Sequence, residues 1–262
     1  MAWCASNGLS CNADKTKAVH ISSCYSIPEK IDEIRIGDAI ITPTPTVRDL
    51  GMIGDHHLDL GNHVNNMCKS ASFAITNISR IRKYLSQSDC ERIIQAFITS
   101  KLHYCNAILY GLPQAQLDKL QLIQNTAARI VSKTKKSQHI TPVLRSLHWR
   151  PIHKRIVFKL LLLTYKTLNG QAPSYISDLL TKYKISRNLR SGTKYLFTVP
   201  TSNTKSYGDR SFQVAAADLF NKLPMELKTA VSTLNSFKAQ LKTYLFISIN
   251  FIVPFCIYIF CI

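Results

Sequence analysis

Carboxylates that could hold catalytic metal ions are scattered along this sequence. Polymerases and many nucleases use two divalent cations, which a cluster of Asp and Glu side chains must bind. The 262-residue chain has 11 aspartates, no two of them adjacent. Its four glutamates are Glu29, Glu33, Glu91 and Glu226. We therefore expect no catalytic metal site, no cofactor and no nuclease or other metal-dependent activity from the chain alone.

Cysteines and histidines offer a second candidate chemistry. The eight cysteines form no Cys-x-x-Cys pair and follow no secretory signal, which favours reduced thiols in an intracellular protein over a disulfide framework. His56, His57 and His63 lie close together, but no familiar zinc spacing is completed, so we expect a loop cluster. Cys105 has His103 nearby as a candidate base. Because no orienting acid or oxyanion motif accompanies them, we expect a buried thiol.

Basic side chains give the strongest signal. Lys and Arg total 33 against 15 Asp and Glu, a net charge of +18. The net charge is −3 in residues 1–61, +4 in 62–112, +10 in 113–170 and +7 in 171–246. Because neutralising phosphates releases counterions, this balance favours nonspecific RNA or DNA as a partner over a small-molecule substrate. The alternative is an ordinary solvated surface, although such surfaces usually mix both signs. We expect phosphate contacts from Lys69, Arg80, Arg82, Lys83, Arg129, Lys133, Lys135 and Lys136.

Helices are expected to position most of these cations. Residues 1–61 alternate roughly at 17–22 and 34–36, which predicts short strands separated by Pro and Gly turns. From Asn62 onward, apolar residues recur every three or four positions, which predicts a helix of about six turns. Its apolar stripe consists of Val64, Met67, Ala71, Ala74, Ile78, Ile81 and Leu85. Further helical patterns follow, so the predicted fold class is α+β, mostly α, with a helical bundle.

Capping signals mark the ends of several predicted helices. Ser88 has the capping-box spacing to a glutamate three residues later. Thr141 is followed by proline, the usual order at a helix N-terminus. Pro151 and Gly170 fit the start and the left-handed stop of a longer helix.

Two aromatic residues near these helices could stack on bases. Trp149 and Tyr165 both lie beside apolar helical positions. Core packing is therefore favoured over base stacking for both residues.

Several segments carry a family resemblance. Residues 7–17 read NGLSCNADKTK, and residues 49–55 read DLGMIGD. In this order and spacing they resemble segments that follow the catalytic turn in reverse transcriptases of LINE-type (non-LTR) retrotransposons. Residues 147–152, LHWRPI, and further segments up to residue 246 resemble the region after the polymerase in jockey-like and related elements. The resemblance spans about residues 3–246.

This resemblance implies a C-terminal fragment of an RNA-directed DNA polymerase. Its parts would be a short β-rich palm remnant at 1–61, a thumb-like helical bundle at 62–137, a basic helical C-terminal domain at 138–246 and a hydrophobic tail at 247–262. The intact enzyme would use Mg²⁺ bound by an early aspartate and an Asp-Asp pair. This sequence lacks them and would begin just after that turn, so we expect a catalytically inactive fragment with residual nucleic-acid binding.

Four residues match accessory positions of the resembled family. Lys15 matches a motif lysine near the outgoing pyrophosphate, where an ammonium could donate a proton. The alternative is a solvated surface lysine. Leu50, Gly51 and Met52 match the primer-grip turn, in which glycine lets the backbone approach the primer strand. The alternative is a plain tight turn.

An uncharged segment stands at the end of the sequence. Residues 244–262 contain no charged residue and are about long enough to span a bilayer as a helix. Lys238 and Lys242 precede the segment, in agreement with the positive-inside tendency. These features give an alternative function, a tail-anchored membrane protein with a basic cytosolic domain. Against it, the family resemblance ends where the apolar run begins.

Overall fold

Helices dominate the structure. The computed structural model describes residues 6–9, 12, 15–22, 31–36, 39–183, 196–229 and 233–247. Helix accounts for 58% of the described residues and strand for 8%, with the strands on the N-terminal side. The predicted class, α+β and mostly α, is confirmed.

Two antiparallel hairpins form the β-region. The strands pair in sequence order and are β1 (Ile34–Ile36) with β2 (Ala39–Ile41), and β3 (Thr46–Asp49) with β4 (Met52–Asp55). The strand predicted at residues 17–22 is wrong, because that segment bonds to loops and not to a neighbouring strand. Thr44 N donates to Ala18 O at 2.8 Å, and Ser22 N donates to His56 O at 3.0 Å.

The chain forms two compact units, Met1–Lys69 and Ser70–Ile262. The helices of the described residues are α1 (Gly61–Ile81), α2 (Gln87–Ile94), α3 (Ser100–His103), α4 (Gln114–Ser132), α5 (Ile140–Ser146), α6 (Ile152–Leu168), α7 (Ser174–Ser177), α8 (Phe212–Asn221), α9 (Met225–Thr229) and α10 (Leu234–Ile247). A 3-10 turn at Arg82–Tyr84 follows α1, and a π turn at Gln95–Thr99 joins α2 to α3.

Helix α1 follows the predicted apolar period. Val64, Met67, Ala71 and Ile78 are all buried. Residues three or four apart share one face of a helix, so these side chains form a single buried stripe. Ile81 departs from the prediction and is 45% exposed, because α1 ends there and the chain tightens into the 3-10 turn.

Two helices begin at caps other than the predicted ones. Ser86 caps α2 in place of Ser88, and its Oγ accepts a hydrogen bond from Asp89 N at 3.1 Å. Both serines precede an acidic residue by three positions, so local sequence alone does not choose between them. His139 caps α5 in place of Thr141, and its Nδ1 accepts from Thr141 N at 3.4 Å. The following proline still falls in the first turn, where a missing N–H breaks no helical bond.

A core of aromatic and aliphatic side chains lies where α6 meets α8 and α10. The ring of Tyr165 stacks on Phe237 with centroids 4.1 Å apart, and Phe197 meets Phe220 edge-on at 5.3 Å. Trp149 is 6% exposed, and its Nε1 donates to a carboxylate on α2 at 3.3 Å. Core packing of Trp149 and Tyr165 is confirmed. Their rings are not available for stacking on bases.

The predicted hydrophobic tail at 247–262 lies outside the described residues, apart from Ile247 at the end of α10. Among the helices that the structure does describe, none combines the length and the apolar character that crossing a bilayer requires.

Candidate nucleic-acid interface

A groove of about 590 Å³ lies between the end of α1, the second half of α4 and the loop after α4. Its lining combines exposed apolar surface, with Leu122 64% exposed, and four cationic side chains. We call it the basic groove, and its residues are Ser79, Arg82, Leu122, Thr126, Arg129, Ile130, Lys133, Thr134 and Lys136. None of them is acidic. The fold therefore brings four of the eight predicted phosphate-contacting residues to one cavity.

The guanidinium of Arg82 stabilises the wall of the basic groove through hydrogen bonds to backbone carbonyls. Its Nε donates to Ile130 O at 2.7 Å, its Nη2 to Val131 O at 2.8 Å and its Nη1 to Leu85 O at 2.7 Å. The first two acceptors belong to the last turn of α4, whose carbonyls have no partner within the helix. The guanidinium thus caps α4 and ties it to the end of α1. Arg82 was predicted to contact phosphate, and in the structure these donors are already used by the backbone.

Arg129 fixes the loop that borders the groove. Its Nη2 donates to Gln138 O at 3.0 Å and reaches Lys136 O at 3.5 Å. Its Nε is buried and has no hydrogen-bond partner. An unsatisfied buried donor lowers the stability of the fold, so this arrangement of Arg129 carries a cost.

The loop after α4 presents three exposed lysines, Lys133, Lys135 and Lys136. Lys133 has a left-handed backbone with φ 55°, and its amide N closes the helix on Arg129 O. This left-handed position turns the chain out of α4 and across the end of the groove. Lys133 and Lys136 line the groove, and Lys135 stands between them on the loop.

The remaining predicted cations lie on or just after α1. Lys69, Arg80 and Lys83 are exposed, and the Nζ of Lys83 lies 4.8 Å from the centroid of the Tyr84 ring. Phe73 is 72% exposed and precedes Arg80 by seven residues, two turns along the same helical face. The sequence analysis did not predict that Phe73 and Tyr84 would be exposed aromatic side chains near these cations. Their positions could have indicated this exposure, because both aromatic residues lie off the apolar stripe of α1 and near basic residues.

The predicted primer-grip residues form a hairpin turn in the N-terminal unit. Asp49 pairs with Met52, which leaves Leu50 and Gly51 as a two-residue turn with φ values of 45° and 89°. Positive φ at both central residues matches the twist of β-hairpins. Leu50 is 85% exposed at the tip. A tight turn is therefore present, and its contact with a primer remains a prediction.

Lys15 lies in a short turn of the same unit. Its side chain is exposed, and its backbone N donates to both the backbone oxygen and Oδ1 of Asn12, each at 3.3 Å. Several neighbouring motif positions, residues 10–11 and 13–14, lie outside the described residues. The role that the resemblance implies for Lys15 stays a prediction.

Asp55, the last residue of the DLGMIGD segment, has a structural role. Its side chain is 5% exposed and accepts backbone hydrogen bonds from His57 N at 3.1 Å, Asp59 N at 3.0 Å and Leu60 N at 2.9 Å. Three amide donors replace the water that burial removes from this carboxylate. The carboxylate thereby shapes the loop that leads into α1.

The histidines near this loop play different parts. The expected loop cluster is wrong for His63: the rings of His56 and His57 lie 3.9 Å apart in the turn after β4, whereas His63 lies within α1 and is 3% exposed. The Nδ1 of His63 accepts from Ile53 N at 3.4 Å, and its Nε2 is buried without a partner. Burial lowers the pKa of His63, because it penalises the charged imidazolium. Within the described residues, no group of three or more His, Cys, Asp or Glu side chains could hold a metal ion.

Cys105 is exposed, so the prediction of a buried thiol is wrong. It has a left-handed backbone, φ 49°, in the turn after α3, and such turns lie at the surface. The ring of His103 faces the guanidinium of Arg155, with Nε2 in contact with Nη1. A histidine engaged in this way gives no support to a Cys-His catalytic pair.

Comparison of this chain with protein-family models, curated proteins and solved structures gives no match.

Proposed function

We propose that this chain binds RNA and DNA without reading their sequence, as a reverse-transcriptase-derived segment that does not itself polymerise. The observation that carries the proposal is the basic groove. Arg129, Lys133 and Lys136 line one cavity together with Arg82, and no lining residue is acidic. A cleft with one sign of charge and low-dielectric walls concentrates ligands of the opposite charge.

The wider distribution of charge agrees with this proposal. Residues 113–170, which contain α4 and its following loop, have a net charge of +10. The motif-like segments at residues 7–17 and 49–55 support a derivation from a LINE-type enzyme, in which helices after the palm form a thumb that closes over duplex. Under this proposal the basic groove follows the phosphodiester backbone of such a duplex.

The absence of polymerisation is inferred from the sequence. In-line nucleotidyl transfer with two metal ions needs clustered carboxylates, and the chain contains no adjacent Asp pair. Purified protein should therefore extend no primer on an RNA or DNA template in the presence of Mg²⁺ or Mn²⁺. Templated DNA synthesis by this chain alone would disprove this part of the proposal and leave binding untouched.

Binding is tested by fluorescence anisotropy with an RNA–DNA duplex over about 50 to 200 mM salt. The informative variant combines Lys133→Asn and Lys136→Gln. Asn tolerates the left-handed backbone at position 133, and Lys136 is exposed, so both changes should leave the fold intact. Affinity falls as salt rises, and each lost phosphate contact reduces the magnitude of this slope of log affinity against log salt by about 1. We therefore expect the double variant to have a slope smaller in magnitude by about 2.

The matched control removes two charges elsewhere. Lys238→Gln with Lys242→Gln alters α10, and neither residue lines the basic groove. Duplexes of unrelated sequence should bind the parent chain with similar affinity. If the groove variant and the control give the same salt slope, the groove is not the binding surface. If the parent binds no duplex at low salt, the whole proposal fails.

A further inference from the structure

A second cationic cavity, of about 420 Å³, lies between α2, the π turn, α3 and the connection from α5 to α6. The polar residues named below come from four separate elements, the π turn, α3, the connection from α5 to α6, and α6 itself. We call it the arginine pocket, and the residues that define it are Gln95, Thr99, Ser100, His103, Arg150 and Arg155. Its volume falls in the range of small-molecule sites.

Arg155 is buried in this pocket without a carboxylate partner among the described residues. It is 9% exposed, and its Nε donates to Arg150 O at 2.8 Å while Nη1 contacts Nε2 of His103. Burial, followed by the positive charge of Arg150, lowers the pKa of Arg155 to about 10. A buried guanidinium normally has a carboxylate beside it. In the part of the chain that the structure describes, none lies within salt-bridge distance of Arg155.

Arg150 adds a second guanidinium whose bonds are incomplete. Its Cζ lies 4.3 Å from the centroid of the Phe158 ring, and its Nη1 is buried with no hydrogen-bond partner. The carboxylate that lines the pocket belongs to Glu91, and its Oε1 accepts from Trp149 Nε1 at 3.3 Å. Two guanidinium groups thus share a cavity with one carboxylate that is bonded to an indole.

We propose that the arginine pocket binds a phosphate group, held by Arg150 and Arg155 with the side chains of Thr99 and Ser100 at its edge. A guanidinium presents parallel N–H donors that match phosphate oxygens. Of the residues that the structure describes, Glu91 is the single acidic one that lines the pocket, so a phosphate would supply further negative charge beside the two guanidinium groups. The source is either free phosphate or the terminal phosphate of a nucleic acid. This site is separate from the basic groove and does not depend on the groove's function.

The pKa of His103, measured by NMR of its ring, can show whether the pocket is occupied by phosphate. Although part of its surface is exposed, burial and then the charges of Arg155, Arg150 and Lys159 lower its pKa to about 4. Glu91 is the acidic residue that lines the same pocket. A bound phosphate places negative charge beside these cations, so the pKa of His103 should rise on binding, and the imidazole takes up a proton at pH values between its free and bound pKa.

The test follows the His103 ring by NMR during pH titration with and without inorganic phosphate. We expect phosphate to raise the pKa of His103 in the parent chain. Arg150→Gln should weaken phosphate binding at least about tenfold, the equivalent of one lost charge-assisted hydrogen bond. Arg145→Gln is the matched control, since Arg145 is exposed on α5 and does not line the pocket. Parent-like far-ultraviolet circular dichroism for both variants confirms that they fold.

Oligonucleotides with a 5′-phosphate or a 5′-hydroxyl distinguish the two sources, in the Lys133→Asn, Lys136→Gln background that disables the basic groove. Tighter binding of the 5′-phosphate form, lost in Arg150→Gln, identifies a nucleic-acid terminus. Binding of inorganic phosphate with equal binding of the two oligonucleotides identifies free phosphate. If none of the three ligands moves the pKa of His103, or if Arg145→Gln weakens binding as much as Arg150→Gln, the proposal is overturned.

Discussion

Replacing Arg82 with glutamine separates a structural role from a binding role for this residue. The change removes hydrogen bonds from the guanidinium to Ile130 O, Val131 O and Leu85 O, at 2.7, 2.8 and 2.7 Å. Hydrogen bonds to charged groups are worth roughly 1.5 to 3 kcal/mol. Because this site is only partly buried, water can replace part of each bond. We therefore expect about 1 kcal/mol for each bond and about 3 kcal/mol in all.

Urea denaturation followed by circular dichroism measures this change. For a unit of this size, a loss of about 3 kcal/mol corresponds to a melting temperature lower by about 6–12 °C. Arg82→Lys keeps the charge but loses the planar fork, so it should be destabilised nearly as much. Arg80→Gln, which removes an exposed charge on α1, should cost less than about 0.5 kcal/mol. Equal stability of Arg82→Gln and Arg80→Gln would refute the capping role.

The hairpin tip, a buried histidine and an exposed thiol give three further predictions. Leu50→Asn should raise the free energy of unfolding by about 1 kcal/mol in urea, because Asn tolerates a left-handed backbone better than Leu, and Leu50→Ala should give no such gain. The lowered pKa of His63 means that the unfolded chain takes up its proton first. The free energy of unfolding should therefore fall as the pH drops below about 6.5, and less steeply in His63→Gln. Iodoacetamide followed by mass spectrometry should label exposed Cys105 before buried Cys90, whose pKa is raised by burial, and equal labelling would contradict the structure.

Local periodicity was enough to predict the helices but not the partners of their charged residues. The stripe on α1 and the ends of α6, Pro151 and Gly170, follow from rules that act within a few residues. Arg82 bonds to carbonyls 48 and 49 residues away, and Arg155 meets a histidine 52 residues away. A buried arginine and a solvated one look the same in a sequence that is already strongly basic. Cys105 was mispredicted for a related reason, since its exposure depends on a left-handed turn that its neighbours do not signal.

The arginines and the lysines of the basic groove have different roles, and these roles support nucleic-acid binding without base specificity. Direct reading of guanine uses an arginine fork with two free donors on one edge. The forks of Arg82 and Arg129 are held by backbone carbonyls of α4 and its following loop. Lys133 and Lys136 remain exposed, and lysine acts on phosphate as a flexible point charge. The arginines therefore fix the shape of the groove, and the exposed lysines add mobile positive charge to it. Under the proposed function, such a surface would attract any phosphodiester backbone, because its exposed charge comes from lysines and three donors of Arg82 are already bonded to backbone carbonyls.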